Sequence, residues 1–116
     1  MSDVAAELRR HPRWVTLNVY PVSFEHRTPE GVLFVDGFLP DLTDDATAGW
    51  LLGIVAAEAR ATGRSGPHIV GPAKLEPGWG IEVGEDDRGP LIIGSTGSTL
   101  GEAAARVLLA LWADAK

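Results

Sequence analysis

Cysteine is absent from this chain of 116 residues, and no long hydrophobic run occurs in it. Without cysteine there is no disulfide bond, no thiolate metal site and no cysteine nucleophile. A membrane-spanning helix needs roughly 18 consecutive apolar residues, and no window of the sequence approaches that length. Asp3 stands where a secretory signal would have its basic region, so we expect an intracellular, cytoplasmic protein.

Basic residues are scarce relative to acidic ones. The chain has 10 lysines and arginines against 16 aspartates and glutamates, which gives a net charge of −6. Binding along a nucleic-acid backbone requires a concentrated basic face, so this composition argues against a nucleic-acid partner. The charge is compatible with a soluble monomer and with docking onto a basic partner protein. Monomer and homodimer both stay open.

Motifs typical of enzymes and metal proteins are missing as well. His11, His26 and His68 lie in three different predicted elements, without the spacing of a metal-ligand pair. No serine stands in a Gly-x-Ser-x-Gly elbow, and no spacing places two carboxylates on one pocket wall. The sequence therefore predicts a protein that is not an enzyme and has no cofactor or metal. A cryptic enzyme stays open as an alternative.

The N-terminal third contains a helical and then an alternating pattern. Residues 2–10 predict a short helix, with its apolar residues on one side. Residues 13–24 alternate between two faces and predict a strand, which Pro21 breaks or confines to a sheet edge. A turn over 27–31 leads to a second predicted strand over 31–38. Residues 13–38 are thus expected to form a β-hairpin.

A first long helix is predicted over 44–62. Thr43 or Asp44 provides its N-cap. The acidic residues at its start interact favourably with the positive end of the helix dipole. Gly49 and Gly53 form a small-x-x-x-small pair on this helix. We expect that pair to allow close packing against the sheet or the other helix, or a dimer contact.

A second long helix is predicted over 99–114. Thr99 and Glu102 have the spacing of a capping box at its start. Its apolar residues recur with helical period, and Leu108 lies at the centre of that stripe.

Turn-forming residues separate three short strands between the two long helices. They are predicted over 68–75, 79–84 and 90–94. Together these elements predict an α+β fold of the two-layer or α-β-α sandwich kind, an antiparallel sheet with two long helices. One domain spans 1–116: 1–38 holds the short helix and the β-hairpin extension, and 39–116 holds helix, three strands and helix.

The order of these elements carries a resemblance to a known family. One segment looks like a helix opening of small phage and prophage proteins. It comprises residues 39–47, Gly49 and the Trp-Leu-Leu run 50–52. A hairpin centred on glycine or tryptophan and an alanine-rich helix beginning Thr-x-x-Glu come next. Over residues 39–112 the chain resembles the phage ABA-sandwich domain family. The resemblance implies a helix, antiparallel sheet and helix, and it supplies no catalytic residue.

Two tryptophans are candidates for a contact with a partner. Trp79 lies between two glycines on a short strand, which would leave its ring uncovered. Trp14 shares a predicted strand face with Thr16 and Asn18, so we expect it at a surface or an interface. A nearby acidic turn would steer a basic partner towards Trp79; it comprises Glu85, Asp86 and Asp87.

A Gly/Ser/Thr-rich segment precedes the second long helix. Backbone N–H groups at a helix start can bind an anion, and the residues concerned are Ser95, Thr96, Gly97, Ser98 and Thr99. No lysine completes a phosphate-binding loop there, so this is the weaker alternative.

The preferred interpretation is a non-enzymatic accessory protein of phage or prophage type that acts by protein–protein interaction. Its narrower version is an inhibitor of a host defence system, similar to an anti-CRISPR protein. A small-ligand or phosphate-binding domain that uses the 94–99 loop is the first alternative, and a cryptic enzyme is the second.

Overall fold

Three helices and six strands make up the described part of the chain. The computed structural model describes residues 4–20, 23–28, 31–35, 42–70, 78–84 and 91–114. In chain order the elements are α1 (Val4–Arg10), β1 (Val15–Tyr20), β2 (Ser23–Thr28), β3 (Gly31–Val35), α2 (Asp45–Ala61), β4 (Ser65–Val70), β5 (Trp79–Gly84), β6 (Leu91–Gly97) and α3 (Leu100–Asp114). Every strand pairing is antiparallel, and the predicted α+β class is confirmed.

The strands form two three-stranded sheets. We call β1-β2-β3 the N-terminal sheet and β4-β5-β6 the C-terminal sheet. The predicted hairpin over 13–38 is wrong in its strand count, because residues 13–24 contain β1 and the beginning of β2. Pro21 lies between those two strands in the sequence and has no amide hydrogen for a continuous ladder.

The main hydrophobic core lies where the two long helices meet the C-terminal sheet. α2 and α3 pack against each other and both contact this sheet, which is a two-layer arrangement. Leu108 is fully buried, as its central place in the apolar stripe predicts. It belongs to the same cluster as Leu51 and Val55 of α2 and Ile81 of β5.

The short helix α1 covers one part of α3. Val4 and Leu8 of α1 are buried in the same core cluster. After α1, the ring of His11 lies over Trp112, with the ring centroids 4.6 Å apart. Trp112 is buried, in agreement with the helical pattern.

Trp14 connects the N-terminal sheet to α2 and is not a surface residue. Only 4% of Trp14 is exposed, so the expected surface position is wrong. Its indole N–H donates to Nδ1 of the fully buried His26 at 3.1 Å, and its ring meets Trp50 edge-on at 5.5 Å. Thr16 Oγ1 also lies 3.1 Å from that nitrogen. The polar atoms of Trp14 and His26 can be buried because they are hydrogen-bonded.

The glycine pair of α2 lies on the exposed side of the helix. Gly49 and Gly53 are both exposed, and a Cβ added at either would have no neighbouring atom within 4 Å. The expected close packing of this pair against the sheet or the other helix is therefore wrong.

No helix in the described ranges combines the length and the apolar character needed to cross a membrane.

Candidate functional site

The segment proposed as an anion-binding loop is largely a strand. Ser95, Thr96 and Gly97 belong to β6, so the expectation of a loop over 94–99 is wrong. In register, Thr96 lies opposite Gly80, and Gly97 lies opposite Trp79. Pairing with β5 extends β6 through these residues, because it gives their backbone groups partners in the sheet.

Thr99 joins the beginnings of the two long helices. Its Oγ1 accepts the N–H of Glu102 at 3.1 Å, which confirms Thr99 as a cap of α3. The same hydroxyl donates to the backbone carbonyl of Leu42 at 2.8 Å. Leu42 precedes α2, so one side chain holds both helix starts together.

Gly101 allows these two segments to touch. A Cβ at this position would overlap the carbonyl oxygen of Leu42 and lie 2.9 Å from its carbonyl carbon. Only glycine therefore lets the first turn of α3 lie directly on the segment before α2.

Asp44 caps α2, as its sequence position predicts. Its Oδ2 accepts the Thr47 N–H at 3.0 Å and the Thr47 hydroxyl at 3.1 Å. The next residue, Asp45, is exposed in the first turn of the helix. Both carboxylates therefore lie at the start of α2, beside the start of α3.

A groove of about 440 Å³ lies between these helix starts and the first residue of β5, Trp79. Half-buried Trp79 lines it and packs against the core at the same time. We call it the helix-start groove; its lining residues are Leu42, Thr43, Asp44, Asp45, Ala48, Trp79, Ser98, Thr99, Leu100 and Gly101.

The groove brings together residues that the sequence suggested for two different functions. Trp79 was a candidate for a protein contact, whereas Ser98 and Thr99 were candidates for anion binding. Ser95, Thr96 and Gly97 do not line the groove, and Trp14 is buried elsewhere. The acidic-turn candidates Glu85, Asp86 and Asp87 lie outside the described residues.

The charge of the helix-start groove is negative. Asp44 and Asp45 are the charged residues among its described lining, which includes no lysine, arginine or histidine. Part of the positive potential of the two helix starts is already used by the caps Asp44 and Thr99. The two carboxylates outweigh the positive ends of the helix starts, which carry roughly half a charge each, so the described lining favours a cation over a phosphate.

A third carboxylate stands next to the groove. Glu102 accepts from Arg106 Nη2 at 2.9 Å and from the Ser98 hydroxyl at 3.0 Å. The hydrogen bond from Arg106 is the main reason that the pKa of Glu102 lies below its ordinary value. Its carboxylate does not complete a capping box with Thr99, since it binds Ser98 and Arg106 instead.

No metal centre is present among the residues that the structure describes. No group of three histidine, aspartate or glutamate side chains is placed there to hold an ion. The three histidines are separated as their sequence positions suggest: His11 follows α1, His26 lies in β2 and His68 lies in β4.

A second, shallower hollow lies on the exposed side of α2. It measures about 310 Å³ and is lined by Gly49, Trp50, Gly53, Ile54 and Ala57. None of these side chains is charged, so the hollow has less capacity for specific recognition than the helix-start groove.

Comparisons with protein-family models, with curated proteins and with solved structures gave no match for this chain.

Proposed function

We propose that this chain is a non-enzymatic interaction module that binds a basic segment of a partner protein in the helix-start groove. The observation that carries this proposal is the presence of Trp79 in the same groove as two carboxylates, with no basic residue among the described lining. An aromatic ring beside carboxylates is suited to a cationic side chain, because both attract positive charge.

An arginine is the side chain that matches this lining best. Its guanidinium can stack on the indole of Trp79 while it donates to the carboxylate of Asp45. Its aliphatic stem can pack on Leu42 and Leu100, which line the groove and are partly buried. A cation–π contact of this kind contributes about 0.5–2 kcal/mol, depending on how far water is excluded.

The tryptophan and the acids have different tasks in this proposal. Trp79 provides the contact area that holds the partner, since aromatic anchors dominate interface energetics. Asp45 is exposed at the rim, where charge mainly accelerates the encounter and makes it sensitive to salt. Asp44 is already engaged by Thr47 and contributes less to the partner.

The direct test is a titration with a short arginine peptide, acetyl-Ala-Arg-Ala-amide, followed by NMR. The chain has four tryptophans, and each contributes one indole N–H signal. The signal that is missing from the spectrum of Trp79→Phe belongs to Trp79. We expect the Trp79 signal to shift on titration and the other indole signals to stay in place. The same peptide with citrulline in place of arginine keeps the shape and removes the charge, so it should cause no shift.

A pair of variants tests whether the position of the charge matters. Asp45→Lys reverses an exposed acid in the first turn of α2, and Glu7→Lys makes the same change in the first turn of α1. Asp45→Lys should abolish the shift at Trp79, whereas Glu7→Lys should preserve it. Equal effects of the two variants, or an equal response to the citrulline peptide, would contradict recognition in the groove.

The narrower form of the proposal is a phage-type accessory protein whose partner belongs to a host defence system. Its support is the resemblance of residues 39–112 to the phage ABA-sandwich domain family. The test is expression in a bacterium with an active CRISPR system, followed by challenge with a phage that this system targets. We expect plaques to form with the unaltered protein and with Glu7→Lys, and to be lost with Asp45→Lys. Absence of plaques with the unaltered protein would refute this narrower form.

A further inference from the structure

One side of the N-terminal sheet presents apolar residues to solvent. Val15 is 47% exposed, Leu17 is 39% exposed and Val32 is 52% exposed. The register places these residues on the same face as Glu25 and Arg27 of the central strand. We call these five residues the outer face of the N-terminal sheet.

The apolar residues lie outward because the opposite face is committed to the core. The residue between Glu25 and Arg27 is His26, which is fully buried and accepts the hydrogen bond from Trp14. Successive side chains of a strand point to opposite faces. Because His26 points into the core, its neighbours Glu25 and Arg27 point outward. Leu17, Val15 and Val32, which are paired with them, lie on the same outward side. Exposed apolar residues that adjoin one another in this way can serve as an interaction site.

The two charges of the outer face are arranged so that the face is complementary to itself. Arg27 Nη2 lies 2.8 Å from Glu25 Oε2 on the central strand. Arg27 stands in one cross-strand row between Val15 and Val32, and Glu25 stands in the next row, opposite Leu17. Consider an axis that runs parallel to the sheet, at right angles to β2, and passes above His26 on the outer side. A half-turn about this axis exchanges the two rows.

We propose that two copies of this chain associate face to face through the outer face of the N-terminal sheet, related by this twofold axis. Arg27 of each copy then lies opposite Glu25 of the other, and Val15 lies opposite Leu17. Such an arrangement is an isologous interface, in which one patch serves both subunits. A second copy gives each of these charges, which already pair within one chain, a further partner of opposite sign, and it covers the apolar residues at the same time.

The size of the face indicates that the association is reversible. Three strands spaced by about 4.8 Å, with about five residues each, cover roughly 14 Å by 17 Å. That footprint is well below the roughly 800 Å² per partner of standard stable interfaces. The net charge of −6 on each copy adds repulsion at low salt. Dimers should therefore form only at high protein concentration, in physiological salt or above.

The decisive experiment is charge exchange, measured by sedimentation equilibrium. Glu25→Arg leaves two arginines at the centre of the face, and Arg27→Glu leaves two glutamates. Each variant alone should dissociate at least about tenfold more readily than the unaltered protein, because like charges meet across the axis. An equimolar mixture of the two should form heterodimers, since opposite charges then meet again.

Further variants exclude a mere effect on folding. Val15→Thr and Val32→Thr keep strand-forming residues at exposed positions and should weaken the dimer, with an unchanged circular dichroism spectrum. Ile69→Thr is the control, because Ile69 is 48% exposed on β4 of the C-terminal sheet and should not affect association.

Three results would overturn the proposal. The first is an unaltered protein that stays monomeric up to about 1 mM, which would leave this face to a different partner. The second is a dimer that responds to Ile69→Thr and not to the charge variants. The third is a mixture of Glu25→Arg and Arg27→Glu that fails to recover association.

Discussion

The same substitution, glycine to alanine, should have opposite effects in the two long helices. Gly53 is exposed in the interior of α2, and an added Cβ would meet no atom within 4 Å. Gly53→Ala should therefore raise the free energy of unfolding by about 0.5–1 kcal/mol, through the better helix propensity of alanine. Gly101→Ala gains at most as much, because Gly101 lies in the first turn of α3, and it places its Cβ on the carbonyl oxygen of Leu42.

The overlap at Gly101 outweighs the propensity gain. Forcing additional atoms into a packed contact typically costs about 1–3 kcal/mol, and here the obstacle is backbone rather than a movable side chain. After the gain is subtracted, Gly101→Ala should lower the free energy of unfolding by about 0.5–2 kcal/mol. Since Gly101 lines the helix-start groove, the shift that separates the helices should also be felt at Trp79.

Urea denaturation at low protein concentration measures both variants. We expect the midpoint to rise for Gly53→Ala and to fall for Gly101→Ala, with little change in the slope. The indole N–H signal of Trp79 should move in Gly101→Ala and stay in place in Gly53→Ala. If Gly101→Ala stabilises the protein as Gly53→Ala does, the start of α3 does not touch the segment before α2, and the groove is not built as described.

Three further measurements concern the core and two titrating groups. Leu108→Ala should cost about 2–5 kcal/mol of stability, because Leu108 is fully buried, and half-buried Leu109→Ala should cost clearly less in the same denaturation assay. Glu102→Gln should cost at most about 0.5 kcal/mol at neutral pH, since the ion pair with Arg106 is partly exposed. The hydrogen bond from Arg106 lowers the pKa of Glu102 in the folded protein. The stability difference between the unaltered protein and Glu102→Gln should therefore be present above pH 4.5 and vanish as pH falls through the folded-state pKa of Glu102. Burial lowers the pKa of His11 below 6.5 in the folded protein. The unaltered protein should therefore lose stability as pH falls from 6.5 through the folded-state pKa of His11. Thermal melts of His11→Phe should show a smaller loss of stability over the same pH range.

The elements that depend on local interactions were predictable from the sequence. The long helices were expected over 44–62 and 99–114 and are observed over Asp45–Ala61 and Leu100–Asp114. Their bounds follow from apolar periodicity and from caps, which involve residues within one or two helical turns of each other. The strand over 79–84 was likewise expected and is observed as Trp79–Gly84.

The inward face of the N-terminal sheet could not be read from the sequence. The alternation of 13–24 separates two sets of side chains, and the apolar set is the obvious one to bury. The structure buries Trp14 and His26 instead, because they share a hydrogen bond that the separation of 12 residues hides. A polar group can be buried once it has a partner, and the partner is known only when the strands are paired.

The helix-start groove depends in the same way on contacts between distant segments. Trp79, Asp44 and Ser98 were each noticed in the sequence, but for separate reasons and in separate elements. Their meeting requires the Thr99 hydroxyl on the Leu42 carbonyl, 57 residues away, and the absence of a side chain at Gly101. The sequence by itself determined the helices and their caps, because these are stabilised within short segments. Tertiary structure alone decided which face is buried and which residues share a groove, because those outcomes depend on packing between segments far apart in the chain.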